Sequence, residues 1–180
     1  LTIFRFALTP SLPATESEWR SNQVYIAHFA VTDADRERFF AAERFSRGAL
    51  GLAGAKALPF RVWIEDWEIA AEETGAPERW RLRASDPGFS VDLELASAKP
   101  PVLNGDAGLS QKSAEPGNAS YYYSMTRWLT DGSLQLGDDT FRVTGLSWLD
   151  REWSTSALGA DQLGWDWFAL QLSDGSDLMF

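Results

Sequence analysis

Apolar and polar residues alternate one by one along much of this chain, and this period of two is typical of half-buried β-strands. The alternation is clearest on either side of Asp86-Pro-Gly, which is a turn sequence. Residues 79–96 are therefore predicted to form a hairpin. Charges of opposite sign would face each other across its two strands, with Arg81 and Arg83 on one and Asp92 and Glu94 on the other.

Similar patterns predict further strands, with turn sequences at Asp131-Gly, Gly137 and Asp174-Gly. No convincing amphipathic helix is present beyond a turn near residues 33–38. Many short strands at even spacing predict an all-β fold, an antiparallel sandwich or barrel, and a barrel of this size can enclose a small apolar ligand. The other predicted strands are residues 1–8, 24–31, 37–46, 60–69, 120–128, 133–136, 139–144, 146–153 and 165–172.

Two stretches are predicted to be loops. Residues 46–55 are rich in glycine but lack the lysine of a phosphate-binding loop. Residues 98–119 contain Pro100-Pro101, Asn104-Gly and Pro116-Gly and form a long polar connection. Connections of that length in compact domains serve as functional lids or as surface loops, and both interpretations stay open here.

The composition argues against several classes of function. With a net charge of −10, the chain has no basic stripe for nucleic acid and no polybasic contact for anionic lipid. It has no cysteine and one histidine, which argues against thiolate chemistry and against a zinc or other metal centre. No Gly-x-Ser-x-Gly motif marks a serine hydrolase, and no cofactor is expected. The aromatic content of 13% favours strands and a ring-lined cavity or interface.

Residues 145–172 interleave four tryptophans with acids. Carboxylates are costly beside indole rings unless they are paired or protonated, so the pattern indicates a hydrophobic cavity with a few polar groups. An aromatic core whose acids face water is the alternative. Alternation puts Trp148, Asp150 and Glu152 on one strand face. Asp150 is then either a general acid in an aromatic box or part of an ion pair with one of three arginines, Arg127, Arg142 or Arg151.

The other ligand-binding candidates are aromatic or titratable residues on predicted strands. Tyr121 and Tyr123 share one strand face and Tyr122 has the other, so at least one phenol must point inward. Asp166 lies on an apolar face, where it is either paired at a barrel rim or functional. His28 is either a satisfied core residue or a functional one. The tryptophans in this set are Trp153, Trp165 and Trp167.

Several stretches resemble the AttH/CrtC family, which is the carotenoid 1,2-hydratase or hydroxyneurosporene synthase group, also described as predicted secreted hydrolases. The most specific is Gly145-Leu-Ser-Trp-Leu-Asp-Arg-Glu-Trp with Gly164-Trp-Asp-Trp-Phe-Ala-Leu. The resemblance spans essentially the whole chain and is closest to the AttH-like branch. The other matching stretches are Leu1-Thr-Ile-Phe-Arg-Phe-Ala-Leu, Ala27-His-Phe-Ala, Glu43-Arg-Phe-Ser-Arg-Gly-Ala-Leu-Gly-Leu-Ala-Gly, Lys99-Pro-Pro-Val-Leu and Asn118-Ala-Ser-Tyr-Tyr-Tyr-Ser.

The resemblance implies two tandem lipocalin-like β-barrels. Residues 1–180 would be most of the first barrel, with a preceding strand and a second barrel outside this sequence. It also implies secretion, a periplasmic location or an envelope anchor. In the carotenoid hydratases, an acid protonates an isolated double bond and water captures the resulting cation. By position, the His-x-Trp pair of that family matches Tyr121 and Tyr123, and its Tyr-x-Asp pair matches Trp148 and Asp150, so these four are the implied catalytic residues.

Two functions are open at this stage. In the first, the barrel binds a hydrophobic isoprenoid- or lipid-like molecule, and Asp150 catalyses its acid-dependent hydration or rearrangement. In the second, the same barrel is a non-catalytic lipid carrier or accessory protein that serves an export system in the envelope. The expected partners are therefore the hydrophobic small molecule, the second lipocalin-like domain of the same chain and components of envelope transport.

Overall fold

All regular secondary structure in the described residues is β, so the predicted all-β fold is confirmed. The computed structural model describes residues 1–12, 14–72, 78–113, 115, 117–154 and 162–180. No helix in these ranges is long and apolar enough to cross a membrane. The strands are β1 (Thr2–Ala7), β2 (Gln23–Asp33), β3 (Arg38–Arg47), β4 (Ala53–Lys56), β5 (Arg61–Ile64), β6 (Trp67–Ala71), β7 (Arg79–Asp86), β8 (Phe89–Ser97), β9 (Val102–Leu103), β10 (Leu109–Gln111), β11 (Ala119–Leu136), β12 (Asp139–Ser154), β13 (Ala169–Gln171) and β14 (Asp177–Met179).

The chain divides into two units. The first comprises Leu1–Leu95 and Asp131–Thr144, and the second comprises Ala96–Thr130 and Gly145–Phe180. Strands β8, β11 and β12 contribute residues to both units, because each crosses a boundary along its length.

The first unit holds the larger apolar core. Its three-stranded antiparallel sheet has the order β1-β2-β3, and its longer ladder runs in the order β4-β5-β6-β7-β8. One face of β2 is buried, and Phe29 on that face stacks on Phe89 of β8 with 4.6 Å between ring centroids. Phe29 also meets Trp67 of β6 edge to face at 5.6 Å. These rings remove a large apolar area from water and hold the two sheets of this unit together.

The second unit is built around β11. The short strands β9 and β10 pair with it, with Leu103 opposite Tyr123 and Leu109 opposite Tyr121. Strand β12 also pairs with β11. Strands β13 and β14 form a separate antiparallel hairpin, and the predicted turn at Asp174-Gly connects them. Residues 98–119, which the sequence analysis treats as a loop, therefore include two short strands.

The predicted hairpin over residues 79–96 is confirmed as β7 and β8. Of its expected ion pairs, Arg81 binds Asp92 with 2.7 Å between the closest atoms. Arg83 pairs instead with Glu68 on the neighbouring strand β6. The alternating pattern predicted the hairpin correctly, but it could not show that β6 lies beside β7.

Residues 60–69 form a hairpin and not the single predicted strand. Strand β5 ends at Ile64, which pairs with Trp67 at the start of β6. The turn residue Glu65 has a φ of 56°, a conformation that non-glycine residues seldom adopt and that no residue type here signals. The glycine-rich stretch 46–55 also contains a strand, β4, which pairs with β5.

The predicted turn at Asp131-Gly132 is wrong, because β11 passes through both residues without a break. Strand β12 likewise continues through Gly145, where two strands are predicted. Asp-Gly is a frequent hairpin sequence, but the glycine is needed here for another reason. A Cβ at position 132 would lie 2.2 Å from the carbonyl oxygen of Asp92 on β8. Gly132 therefore permits a close approach of two backbones.

Replacing Gly132 by alanine is expected to lower the free energy of unfolding by about 1–3 kcal/mol, because the backbone of β8 would have to move away from the added methyl group. Gly145→Ala is the matched control on the next strand, since a Cβ there meets no atom within 4 Å. Chemical denaturation of both variants measures the effect. Equal stability of the two variants would contradict the close packing at position 132.

Candidate functional site

One face of β11 carries most of the buried polar side chains of the second unit. Ser120, Tyr122 and Ser124 alternate along this face and are 2%, 8% and 1% exposed. Thr126 and Trp128 continue the face and are also buried. Buried hydroxyl groups need hydrogen-bond partners, and acidic side chains supply them for Ser120, Ser124 and Thr126.

Asp150 is held by neutral donors. Ser124 Oγ donates to Asp150 Oδ1 at 2.5 Å, and the indole Nε1 of Trp148 donates to the same oxygen at 2.9 Å. Asn104 Nδ2 donates in turn to Ser124 Oγ at 2.9 Å. The prediction that Trp148 and Asp150 share a strand face agrees with this contact. Both hydrogen bonds converge on Oδ1, and the hydroxyl of Tyr122 also interacts with this carboxylate.

The arginine pair considered for Asp150 is not formed among the residues that the structure describes. Arg127 binds Asp177 at 2.6 Å and Arg142 binds Asp131 at 2.9 Å. The guanidinium of Arg151 contacts the hydroxyl of Tyr123 at 3.4 Å. Residues adjacent on a strand point to opposite sides, so Arg151 cannot readily reach the carboxyl of its neighbour Asp150.

Glu152 has a different environment from Asp150, although both lie on the same face of β12. Its Oε1 accepts a hydrogen bond from Ser120 Oγ at 2.5 Å and an ion pair from Lys112 Nζ at 2.5 Å. The same ammonium group lies 5.2 Å from the ring centroid of Tyr122. The charge of Glu152 is therefore compensated by a cation.

Tyr122 lies between these two acids along β11. Its hydroxyl donates to Met179 Sδ at 3.1 Å, and Trp167 Nε1 donates to the phenol oxygen at 3.3 Å. Burial raises the pKa of Tyr122 to about 12, and the negative charge of Asp150 adds to this increase. The phenol is therefore neutral near pH 7 and acts as a hydrogen-bond donor.

Asp177 forms a buried ionic cluster at the start of β14. Its side chain is 4% exposed and binds Lys99 Nζ and Arg127 Nη2, each at 2.6 Å. Thr126 Oγ1 donates to Asp177 Oδ2 at 2.8 Å. Burial alone would raise the pKa of Asp177, but the hydrogen bonds with Lys99, Thr126 and Arg127 outweigh that effect and lower it. The cluster attaches the β13–β14 hairpin to β11.

Tyr121 and Tyr123, which the resemblance implies as catalytic, do not share the face of Asp150. Tyr121 stacks on Trp153 with 5.7 Å between ring centroids, and Tyr123 meets the same indole edge to face at 6.3 Å. Tyr121 is 58% exposed. The reason is the alternation of β11, in which odd-numbered and even-numbered side chains point to opposite sides.

The remaining candidates are Trp165, Asp166 and His28. Trp165 and Asp166 are exposed in a segment without regular secondary structure, so the predicted strand over 165–172 is shortened to β13. His28 belongs to the first unit, on β2, where its Nε2 lies 2.9 Å from Glu43 and its ring packs against Phe4. Its side chain is 52% exposed, so the interpretation as a core histidine is wrong.

Sequence reasoning missed several residues that shape the site. Ser124 and Asn104 complete the hydrogen-bond chain to Asp150, and Met179 covers the hydroxyl of Tyr122. Ser124 could have been found, because alternation puts it on the same face as Tyr122. Asn104, Lys112 and Met179 come from distant parts of the chain, and no local pattern signals their contacts.

Comparison with known proteins adds the family. The AttH-like family profile matches residues 1–180. The chain belongs to the AttH-like family. A crystal structure described as AttH from Nitrosomonas europaea shares the fold of this AttH-like chain, with a TM-score of 0.78 and 32% sequence identity. That match covers 88% of this chain and 48% of the other.

The names of two further similar proteins refer to the addition or the removal of water. The structure of kievitone hydratase from Nectria haematococca matches with a TM-score of 0.61 and 12% sequence identity. The match covers 87% of the AttH-like chain and 54% of the hydratase chain, and it shows a common fold. Dehydratase asqC from Emericella nidulans is 30% identical over 95 residues, which are 51% of this chain and 25% of that protein. The AttH-like chain thus spans about half the length of the two solved structures.

Asp177→Asn is expected to lower the free energy of unfolding by about 2–3 kcal/mol, because Lys99 and Arg127 would lose their shared carboxylate in a largely buried position. Asp131→Asn is the matched control, since its pair with Arg142 joins side chains that are 56% and 80% exposed, and such pairs contribute little. Urea denaturation of both variants compares them. A similar loss in both would contradict the special role of Asp177.

The same cluster predicts a pH dependence. Because the pKa of Asp177 is lowered in the folded chain, its stabilising contribution is complete above its ordinary pKa of 3.8 and is lost as the pH falls through the lower folded-state value. The stability difference between wild type and Asp177→Asn should therefore shrink on acidification. A difference that stays constant down to about pH 2 would contradict this assignment.

Proposed function

We propose that the second unit binds a neutral, hydrophobic small molecule of the isoprenoid or lipid type, and that Asp150 exchanges a proton with it during the addition or removal of water. The observation that carries the proposal is the hydrogen-bond set of Asp150, whose described partners Ser124 and Trp148 are both neutral. Relatives named as a hydratase and a dehydratase support a reaction of this class.

The charge of the partners distinguishes Asp150 from the other acids of the unit. A cation beside a carboxylate stabilises its charged form and opposes protonation. Lys99 and Arg127 have this effect on Asp177, whose pKa is lowered. Lys112 forms an ion pair with Glu152. Among the described residues, Asp150 forms no ion pair, so no cation occupies the carboxyl group that we propose as the acid.

The donors on Asp150 also set its orientation. Ser124 and Trp148 both bind Oδ1, so the direction of Oδ2 is fixed by two hydrogen bonds from opposite strands of the pair β11–β12. A general acid must hold its proton within hydrogen-bond reach of the reacting atom. A carboxyl group that cannot rotate freely satisfies this requirement at a lower entropic cost.

The proposed hydration has two proton transfers. The carboxyl of Asp150 gives its proton to one carbon of an isolated double bond, and the π electrons form the new C–H bond. Water then adds through its oxygen to the resulting tertiary cation and returns a proton to the carboxylate. Dehydration is the reverse sequence. Aromatic ring faces stabilise a cation. The indole of Trp148 donates to Asp150, and the indole of Trp167 donates to the hydroxyl of Tyr122.

A lipid carrier without catalytic activity is the second candidate. It is favoured by the tyrosine at position 121, where the carotenoid hydratases resembled by this chain have a histidine, since a phenol does not relay protons at neutral pH as an imidazole does. Such a carrier would serve an envelope export system. Secretion or a periplasmic location and a second lipocalin-like domain are proposed on the same resemblance.

Asp150→Asn separates the two candidates. The amide keeps the shape of the side chain but cannot supply the proton, so we expect binding to persist while turnover falls about 100-fold or more. Lipids extracted with the protein identify the ligand by mass spectrometry, and incubation in isotopically labelled water detects hydrated products. Asp166→Asn, at an exposed acid, is the matched control.

The outcomes differ for each candidate. Incorporation of labelled oxygen that depends on Asp150 and not on Asp166 supports the hydratase. A bound lipid with no incorporation in wild type favours the carrier. Incorporation that survives Asp150→Asn at the wild-type rate rules out this residue as the acid.

A further inference from the structure

The hydroxyl group of Tyr122 makes a hydrogen bond to a poor acceptor. Its donor contact is to Met179 Sδ at 3.1 Å, and a thioether sulfur accepts hydrogen bonds only weakly. Ser124 Oγ lies 3.7 Å from the same sulfur, so Met179 contacts the hydroxyl groups of both Tyr122 and Ser124. An oxygen atom in the place of the sulfur would make a stronger hydrogen bond with the phenol.

The phenol remains a donor at any physiological pH. Burial raises the pKa of Tyr122 to about 12, with a further contribution from the charge of Asp150. The indole of Trp167 already donates to the phenol oxygen at 3.3 Å, which orients the O–H bond away from that ring. The hydroxyl also interacts with the carboxylate of Asp150. Once Asp150 carries the proton that the proposed reaction needs, a ligand oxygen on the side of Met179 is the stronger acceptor for the phenol O–H.

We propose that Tyr122 binds an oxygen atom of the ligand, so that the preferred substrate is an oxygen-bearing isoprenoid-like molecule, such as an enone or an alcohol, and not a bare hydrocarbon. This inference rests on the proposed function, because it concerns the same site. In the complex, the ligand oxygen replaces Met179 Sδ as the acceptor of the phenol O–H. The rest of the ligand then lies beside Asp150, whose charge is close enough to raise the pKa of the phenol.

This arrangement separates recognition from chemistry. Tyr122 would fix one end of the ligand through its oxygen, while Asp150 would exchange a proton at the double bond. A site that hydrogen-bonds a ligand oxygen discriminates against the analogue that lacks it, because the protein group then loses its better partner. Met179, as a flexible apolar side chain, can move aside at low cost.

The test compares two probes, β-ionone, which is a cyclic isoprenoid enone, and the hydrocarbon of the same skeleton without the carbonyl oxygen. Equilibrium dialysis measures their affinities for wild type, Tyr122→Phe and Tyr121→Phe. We expect wild type to prefer the enone by about three- to tenfold, as one net hydrogen bond allows. Tyr122→Phe should abolish this preference without changing the hydrocarbon affinity. Tyr121→Phe, which removes an exposed phenol hydroxyl from the same strand, should keep it.

Three results would overturn the inference. Equal affinity of wild type for both probes, or a preference that survives Tyr122→Phe, removes the oxygen contact but leaves the proposed binding of apolar ligands intact. Failure of wild type to bind either probe overturns the oxygen contact together with the proposed function. Near-ultraviolet circular dichroism of the two variants establishes that a lost preference does not come from a lost fold.

Discussion

The alternation of side chains along β11 is the constraint on which the candidate site depends. Successive residues of a strand point to opposite sides, so Ser120, Tyr122 and Ser124 share one face and Tyr121 and Tyr123 share the other. A shift of the register by one residue would put Tyr121 and Tyr123 against the acids of β12. The burial of both serines to 2% or less opposes such a shift, because each hydroxyl has an acidic partner there.

Three carboxylates, those of Asp150, Glu152 and Asp177, contact the face of β11 that carries Ser120, Tyr122 and Ser124. Their binding partners differ in charge. Glu152 and Asp177 bind cations, so they compensate charge and hold strands together. Asp150 binds Ser124 and Trp148, which orient the carboxyl through neutral donors. A fold by itself does not determine chemistry, so the role proposed for Asp150 depends on these local contacts and not on family membership.

Local patterns predicted many of the strands and the shared face of Trp148 and Asp150, because alternation is a property of neighbouring residues. They failed where the deciding contact is remote. Gly132 has the sequence signal of a turn, but it allows close approach to β8. Glu65 adopts a left-handed turn conformation that its own residue type does not signal. The contact of Met179 with the Tyr122 hydroxyl could not be predicted either, because 57 residues separate the two in the chain.

A double-mutant cycle on Ser124→Ala and Asp150→Asn tests the central contact most directly, with the free energy of unfolding as the measured quantity. The short hydrogen bond between Ser124 Oγ and Asp150 Oδ1 predicts a coupling free energy of about 1–3 kcal/mol. The control cycle pairs Ser120→Ala with Asp150→Asn and should be additive, because Ser120 binds Glu152 instead. Additivity within about 0.5 kcal/mol for the Ser124 cycle would contradict the register and the site built on it.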